Sequence, residues 1–236
     1  MKISQRLKAI AHLAENSFRV LDVGSDHGYL PYLLLKNSEV VKVIVADISN
    51  ESLLKAKGNL ETFFDSKTIE ERVKFKRADG LKAVRENEVD TVVIAGLGGL
   101  LISRILKESE AVRKTVDTFI LQPRSNQGSL RRYLMASGFL IEREILARDG
   151  KHISEIIVAK NTDQSIKIED NEIAYELPLK LLDTEDKKLL LEFLNNKKEI
   201  EEFVLKEVTE SKGTDSIEVI EKMKRLSYID EMIKMV

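Results

Sequence analysis

Between residues 18 and 160 short apolar runs rich in β-branched residues alternate with amphipathic stretches. The runs FRVLDVG (18–24), VVKVIVADI (40–48), RVKFKRAD (72–79), VDTVVIAG (89–96) and VDTFILQP (116–123) read as strands. The stretches between them, YLPYLLLK (29–36), NESLLKAKGNLETFF (50–64), LLISRILKES (100–109) and QGSLRRYLMAS (127–137), carry helical spacing. Strands apolar on both faces and separated by helices predict a parallel sheet covered on both sides, with right-handed crossovers that wind it twice. The pattern then changes. FLIEREILARDGKHISEIIVAK (139–160) is two alternating strands around Asp149-Gly150, so the sheet is expected to close with an antiparallel hairpin.

Residues 161–171 are polar and aperiodic and read as a linker. Beyond them, 181–210 and 216–236 are helical, with one stripe of Leu190, Phe193, Leu194, Ile200, Phe203 and Val204 and another of Ile217, Ile220, Met223, Leu226, Ile229 and Ile233. The break SKGTD offers Gly213 to end one helix and Asp215 to cap the next, which predicts an antiparallel coiled-coil hairpin. The expected organisation is an α/β domain over 1–160 and a coiled-coil domain over 161–236.

Composition narrows the chemistry. The chain has 236 residues and no cysteine, which excludes disulfides, thiolate metal ligands and cysteine nucleophiles, and suits a reducing cytoplasm. No apolar run approaches the ~18 residues that span a bilayer, and the amphipathic start MKISQRLKAIAHLAE lacks the apolar core of a signal peptide. A cytoplasmic protein is expected, with no membrane partner. Residues 1–160 hold 26 basic against 21 acidic side chains, net +5, while 161–236 hold 12 against 19, net −7. The basic part is compatible with a polyanionic substrate; the acidic part is as readily a solvated helical surface.

The first strand-to-helix turn, VLDVGSDHGYLP, places Asp22 at the strand end and brackets the turn with Gly24 and Gly28. Such a turn lets a ligand approach the backbone closely. A dinucleotide site would carry G-x-G-x-x-G. Here the spacing is G-x-x-x-G, and Asp26 would repel a pyrophosphate, whereas an amino-acid moiety with its own amine tolerates the acid. Asp47 follows the second strand, placed for ribose hydroxyls or, with Ser49 and Asn50, for capping the next helix. Asp79 ends the third strand at ADG, within reach of an adenine amino group. Three acids at the carboxyl ends of three successive strands converge on the crevice where open sheets bind ligands. The fourth strand ends in IAGLGGLL, whose Gly96, Gly98 and Gly99 leave room for a second backbone or a flat base. After the fifth strand, LQPRSNQGSLRR offers Gln122 to a base edge and Arg124, Arg131 and Arg132 to phosphates.

With DVGSDHGYLP, the acid after strand two, ADGL, IAGLGG and ILQP on one sheet, the whole chain resembles the bacterial tRNA adenine-N1 methyltransferases of the TrmK type, which modify adenine 22. The resemblance implies a class I S-adenosylmethionine (SAM) methyltransferase fold, a Rossmann-like seven-stranded sheet with a terminal antiparallel hairpin. It also implies SAM as cofactor and tRNA as partner, with no metal and no obligate protein partner. Cofactor contacts are then expected from Asp22, Gly24, Ser25, His27, Gly28, Asp47, Ile48, Asp79, Gly80, Ala95 and Gly96. Acceptor contacts are expected from Gly98, Gly99, Gln122, Pro123, Arg124 and Arg131. AGLGG stands where adenine methyltransferases that act on the exocyclic amine carry N-P-P-Y, which fits attack through ring N1. Members of the family carry Glu at the position of Asp47. Because N1-methylation leaves a cationic base, Asp26 is the candidate catalytic carboxylate facing the developing charge, or else a cap for the following helix. His27 better suits a structural role. The coiled coil is expected to grip tRNA with Lys187, Lys188, Lys197 and Lys198. The other readings are a nucleotide-dependent oxidoreductase on the same sheet and a non-catalytic RNA-binding module.

Overall fold

The computed structural model describes residues 3–25, 27–37, 39–162 and 172–236; the candidate Asp26 and most of the expected linker lie outside the described residues. The elements are α1 (Gln5–Leu13), β1 (Arg19–Val23), α2 (Tyr29–Leu35), β2 (Lys42–Asp47), α3 (Asn50–Glu61), α4 (Ser66–Arg72), β3 (Val73–Arg77), β4 (Thr91–Leu97), α5 (Gly99–Glu108), α6 (Glu110–Arg113), β5 (Thr118–Pro123), α7 (Gln127–Ala136), β6 (Phe139–Asp149), β7 (His152–Asn161), α8 (Glu172–Glu176), α9 (Lys187–Lys212) and α10 (Ile217–Lys234). Short 3-10 turns cover Gly80–Ala83 and Leu179–Asp183.

The strands form one seven-stranded sheet in the order β3-β2-β1-β4-β5-β7-β6. Strands β1 to β5 pair in parallel and β7 runs antiparallel between β5 and β6. Alternation along each strand divides the core into two layers. Leu21, Ile44, Val92, Ile94, Phe119 and Leu121 face α5 and α7, against Ile102, Leu106, Leu130 and Leu134. Val20, Val43, Val45, Val93 and Ile120 face the opposite layer of Ile10, Leu30, Leu34, Leu53 and Leu60 from α1, α2 and α3. The chain leaves β1 in one direction to β2 and β3, then crosses back to β4. The boundary between β1 and β4 is therefore the switch point of the sheet, where a crevice opens at the carboxyl edge.

Side-chain caps start α1, α3, α4, α9 and α10, and two of them differ from the sequence expectation. Ser49, and neither Asp47 nor Asn50, caps α3 by accepting the Ser52 N–H at 3.2 Å. Ser216, and not Asp215, caps α10 by accepting the Val219 N–H at 3.3 Å. Both serines reach the backbone N–H three residues on, the ordinary geometry of an N-cap.

The helical hairpin packs on the sheet by its base. Leu189, Leu190, Phe193 and Leu194 of α9 join Ile229 and Met232 of α10, Leu177, Leu181 and Leu146 of β6 in a third apolar cluster. The distal part of the expected stripe does not pack: Ile200, Phe203, Ile217, Ile220 and Met223 are exposed. The expected lysine face is also mostly spoken for. Lys187 donates to the Leu182 carbonyl, Lys197 pairs with Glu155 at 3.6 Å and Lys198 with Asp230 at 2.6 Å.

Candidate functional site

At the switch point a cavity of about 500 Å³ opens between the ends of β1 and β4. The first turn contributes Asp22, Gly24, Ser25, His27 and Gly28, and β4 contributes Ala95, Gly96 and Leu97. Arg124 lines the rim after β5. Four residues that the strand pattern does not point to complete the wall: Ser4, Arg6 and Leu7 of the N-terminal helix region, and Asp149 from the β6–β7 turn. The amphipathic pattern assigned that helix to packing, and no local signal marks its polar residues as site residues.

Asp22 dominates the electrostatics. Its side chain is buried and its Oδ2 has no hydrogen-bond partner among the described residues. Burial pushes its carboxyl up to about 6, the Ser25 hydrogen bond works against that rise, and the nearby negative charge of Asp47 adds to it. A buried carboxylate with an unanswered oxygen, on a residue that lines a cleft, favours a cationic or hydrogen-bond-donating group nearby. Gly28 enters α2 with φ +68°, and a Cβ there would meet the Ala56 carbonyl at 2.9 Å, so only glycine lets α2 and α3 approach behind the turn. The His27 ring stacks on Tyr29 at 5.2 Å, its Nε2 lies 3.3 Å from Lys55 Nζ, and its carbonyl accepts from Asn59.

Asp47, Ile48, Asp79 and Gly80 stand at the same edge but do not line this cavity. Asp47 sits close enough to raise the Asp22 pKa, and its Oδ1 accepts the Ser49 N–H at 2.8 Å. Ile48 is exposed, presenting an apolar face beside Asp47. Gly80 is packed against Ile105, which a Cβ would meet at 2.4 Å.

The acceptor-side expectations divide. Arg124 is exposed at the cavity rim and forms no ion pair among the described residues. Gly98 lies beside the Ser125 hydroxyl. The space at Gly99 is filled by a second backbone and not by a base: a Cβ there would fall 2.4 Å from the Asn126 carbonyl oxygen. Pro123 is buried beside Leu97 in the β4–β5 pairing. Gln122 points inward. Its Oε1 accepts from Gly96 N–H and Arg6 Nη1, its Nε2 donates to the Pro123 carbonyl, and at 3% exposure it presents no edge to a base. Arg131 is 1% exposed and cannot reach a phosphate. Its guanidinium meets Glu144 at 2.7 Å and Glu155 at 2.6 Å, and donates to the carbonyls of Tyr175 and Glu176. Gln122 lies on β5 and Arg131 within α7, and the buried acids that capture Arg131 come from β6 and β7.

Residues 3–157 match the family model of a methyltransferase domain. Over 165 residues the chain is 32% identical to the tRNA (adenine(22)-N(1))-methyltransferase of Bacillus subtilis, covering 70% of this chain and 67% of that protein. The crystal structure of Sp1610, a candidate tRNA (m1A22) methyltransferase of Streptococcus pneumoniae, superposes with a TM-score of 0.85 at 27% identity, over 98% of this chain and 100% of that one. Its complex with S-adenosyl-L-methionine gives a TM-score of 0.80 at 26% identity, again over 98% and 100%. In fold and in sequence, the chain belongs to the tRNA (adenine(22)-N(1))-methyltransferase family.

Proposed function

We propose that this protein transfers a methyl group from SAM to N1 of adenine 22 in tRNA. The observation that carries the reading is the switch-point cavity lined by Asp22, whose buried carboxylate has an oxygen without a partner among the described residues. SAM fits that arrangement: its amino group supplies the missing donor, and about 500 Å³ suits a ligand of its size. When bound, SAM supplies an electrophilic methyl group on a sulfonium sulfur.

The residues of the chain then have defined tasks. Asp22 holds the amino group, and Gly24, Ser25 and Gly96 let the ligand lie against backbone. Past the cavity, along the same sheet edge, Asp47 faces the ribose and Ile48 offers an apolar surface to the adenine ring, with Asp79 at its edge. Arg124 at the rim binds a phosphate of the acceptor strand. Adenine N1 attacks with its in-plane lone pair, so no general base is required. The bond to the methyl carbon forms as the carbon–sulfur bond breaks, and its electron pair stays on sulfur. Positive charge moves onto the base, so a carboxylate beside it lowers the barrier, the task assigned to Asp26. Because N1 pairs inside folded RNA, the base must leave its stack to reach the cavity. No helix among the described residues is long and apolar enough to cross a membrane, and with its tRNA substrate the enzyme works in the cytoplasm.

The test is incubation with unmodified tRNA and SAM, followed by mass-spectrometric mapping of the methylated nucleoside. 1-Methyladenosine at position 22 is expected, together with calorimetric binding of SAM and none of NADH. A methyl group elsewhere, or NADH binding without SAM binding, overturns the reading.

A further inference from the structure

Three segments far apart in the chain meet at one backbone amide in the cavity wall. Arg6 of α1 donates through Nε to Asp149 Oδ2 at 2.8 Å and through Nη1 to Gln122 Oε1 at 2.9 Å. The same oxygen of Gln122 accepts the Gly96 N–H at 3.1 Å, while Nε2 donates to the Pro123 carbonyl at 3.0 Å. This pattern fixes the amide: reversed, it would turn its NH₂ toward two donors. Gly96 sits where the β4–β5 register shifts between Ala95 and Leu97, with φ +82°, so the sheet ladder alone does not hold it. Gln122 is 3% exposed and the Arg6 side chain 14%, which keeps water from competing for these bonds. Arg6, Gly96 and Asp149 all line the cavity.

We infer that Arg6 and Gln122 are a pair of positioning residues that act through Gly96, fixing the irregular end of β4 against which the reacting base and methyl donor are aligned. The inference rests on the methyl-transfer reading. A wall displaced by about 1 Å misaligns in-line transfer and costs up to ~10²-fold in rate.

The test is a double-mutant cycle of Arg6→Met and Gln122→Leu in the full chain. Each single variant is expected to lower kcat on tRNA by ~10–100-fold. The SAM dissociation constant and KM for tRNA should stay within about 3-fold, as for interactions that matter only in the transition state. The double variant should be no worse than the poorer single, because the constraint on Gly96 is lost once. Multiplying losses in the double variant, or unchanged kcat in the singles with only a lower Tm, overturn the inference. Hydrogen exchange of the Gly96 amide gives a readout independent of turnover, and both single variants should speed it at least ~10-fold as its bond opens. A wild-type protein that methylates no tRNA would overturn the functional reading, and Gly96 exchange would still decide the pair: unchanged exchange in the variants overturns it.

Discussion

Asp22→Asn isolates the energy stored at the cavity wall. In the folded protein the Asp22 carboxyl titrates at about 6, against 3.8 for an unperturbed side chain, because burial disfavours its charged form. At 1.36 kcal/mol per unit this difference amounts to about 3 kcal/mol. The folded state binds the proton more tightly, so stability from this group is full below the unfolded value and is lost as pH rises through about 6. Above that pH the cofactor-free protein carries the whole penalty; by pH 4.5 about 2 kcal/mol of it has been recovered. Asparagine keeps the shape and a hydrogen-bond partner for Ser25 but does not titrate. Its amide cost is the same at both pH values and cancels in the comparison. Urea unfolding of cofactor-free wild type and variant at pH 7.5 and 4.5 should therefore show the stability difference shifting by about 2 kcal/mol toward the wild type at the lower pH. In thermal melts this is a relative change of ~4–8 °C. Parallel stability across that interval would refute the assignment of the raised carboxyl to Asp22. With SAM present the order reverses, since the variant loses an ionic hydrogen bond to the amino group: binding should weaken by about 1.5–3 kcal/mol.

Arg131→Met leaves Glu144 and Glu155 buried without their cation and should cost about 3–5 kcal/mol in urea unfolding; a loss below about 1 kcal/mol would show that the cluster does not depend on the ion pairs. Arg124→Glu should raise KM for tRNA and flatten its salt dependence by roughly one phosphate contact while leaving SAM affinity unchanged; an unchanged salt slope would remove Arg124 from the RNA path. Asp26→Asn should lower kcat by ~10²–10³ with both substrates still bound, the scale of one preorganised electrostatic partner. A raised SAM dissociation constant with unchanged single-turnover chemistry would instead assign Asp26 to the cofactor.

The sheet was legible because its signal is local. Period-2 runs such as VIVAD and TVVIA place Val43, Val45 and Val93 on one face and Ile44, Val92 and Ile94 on the other, and the observed strands fall inside the expected spans except that β4 and β7 each run one residue further, to Leu97 and Asn161. The first turn was legible for the same reason: Asp22, Gly24 and Gly28 are neighbours in the chain and in the cavity. What the pattern did not carry are partners brought together by topology. Arg6 meets Gln122 across 116 residues, and Arg131 meets Tyr175 across 44, separations at which spacing says nothing about contact. The distal hairpin failed for a different reason. A helical stripe predicts a face, and Ile200 and Phe203 share that face, but nothing in the stripe fixes how far along its length a partner extends.

The burial of Arg131 also sets an order of events during synthesis. Its two carboxylate partners belong to the β6–β7 hairpin, but the carbonyls that complete its shell, at Tyr175 and Glu176, are made only after every strand of the sheet has been synthesised. Until then α7 carries a guanidinium with part of its donor set unanswered by protein, a state that burial penalises. Residues 172–183, with the base of α9 and α10 behind them, therefore finish a sheet whose two apolar layers are already encoded upstream. Premature termination just past the last strand would release a chain with all seven strands and both layers, but with the Arg131 guanidinium lacking two of its acceptors.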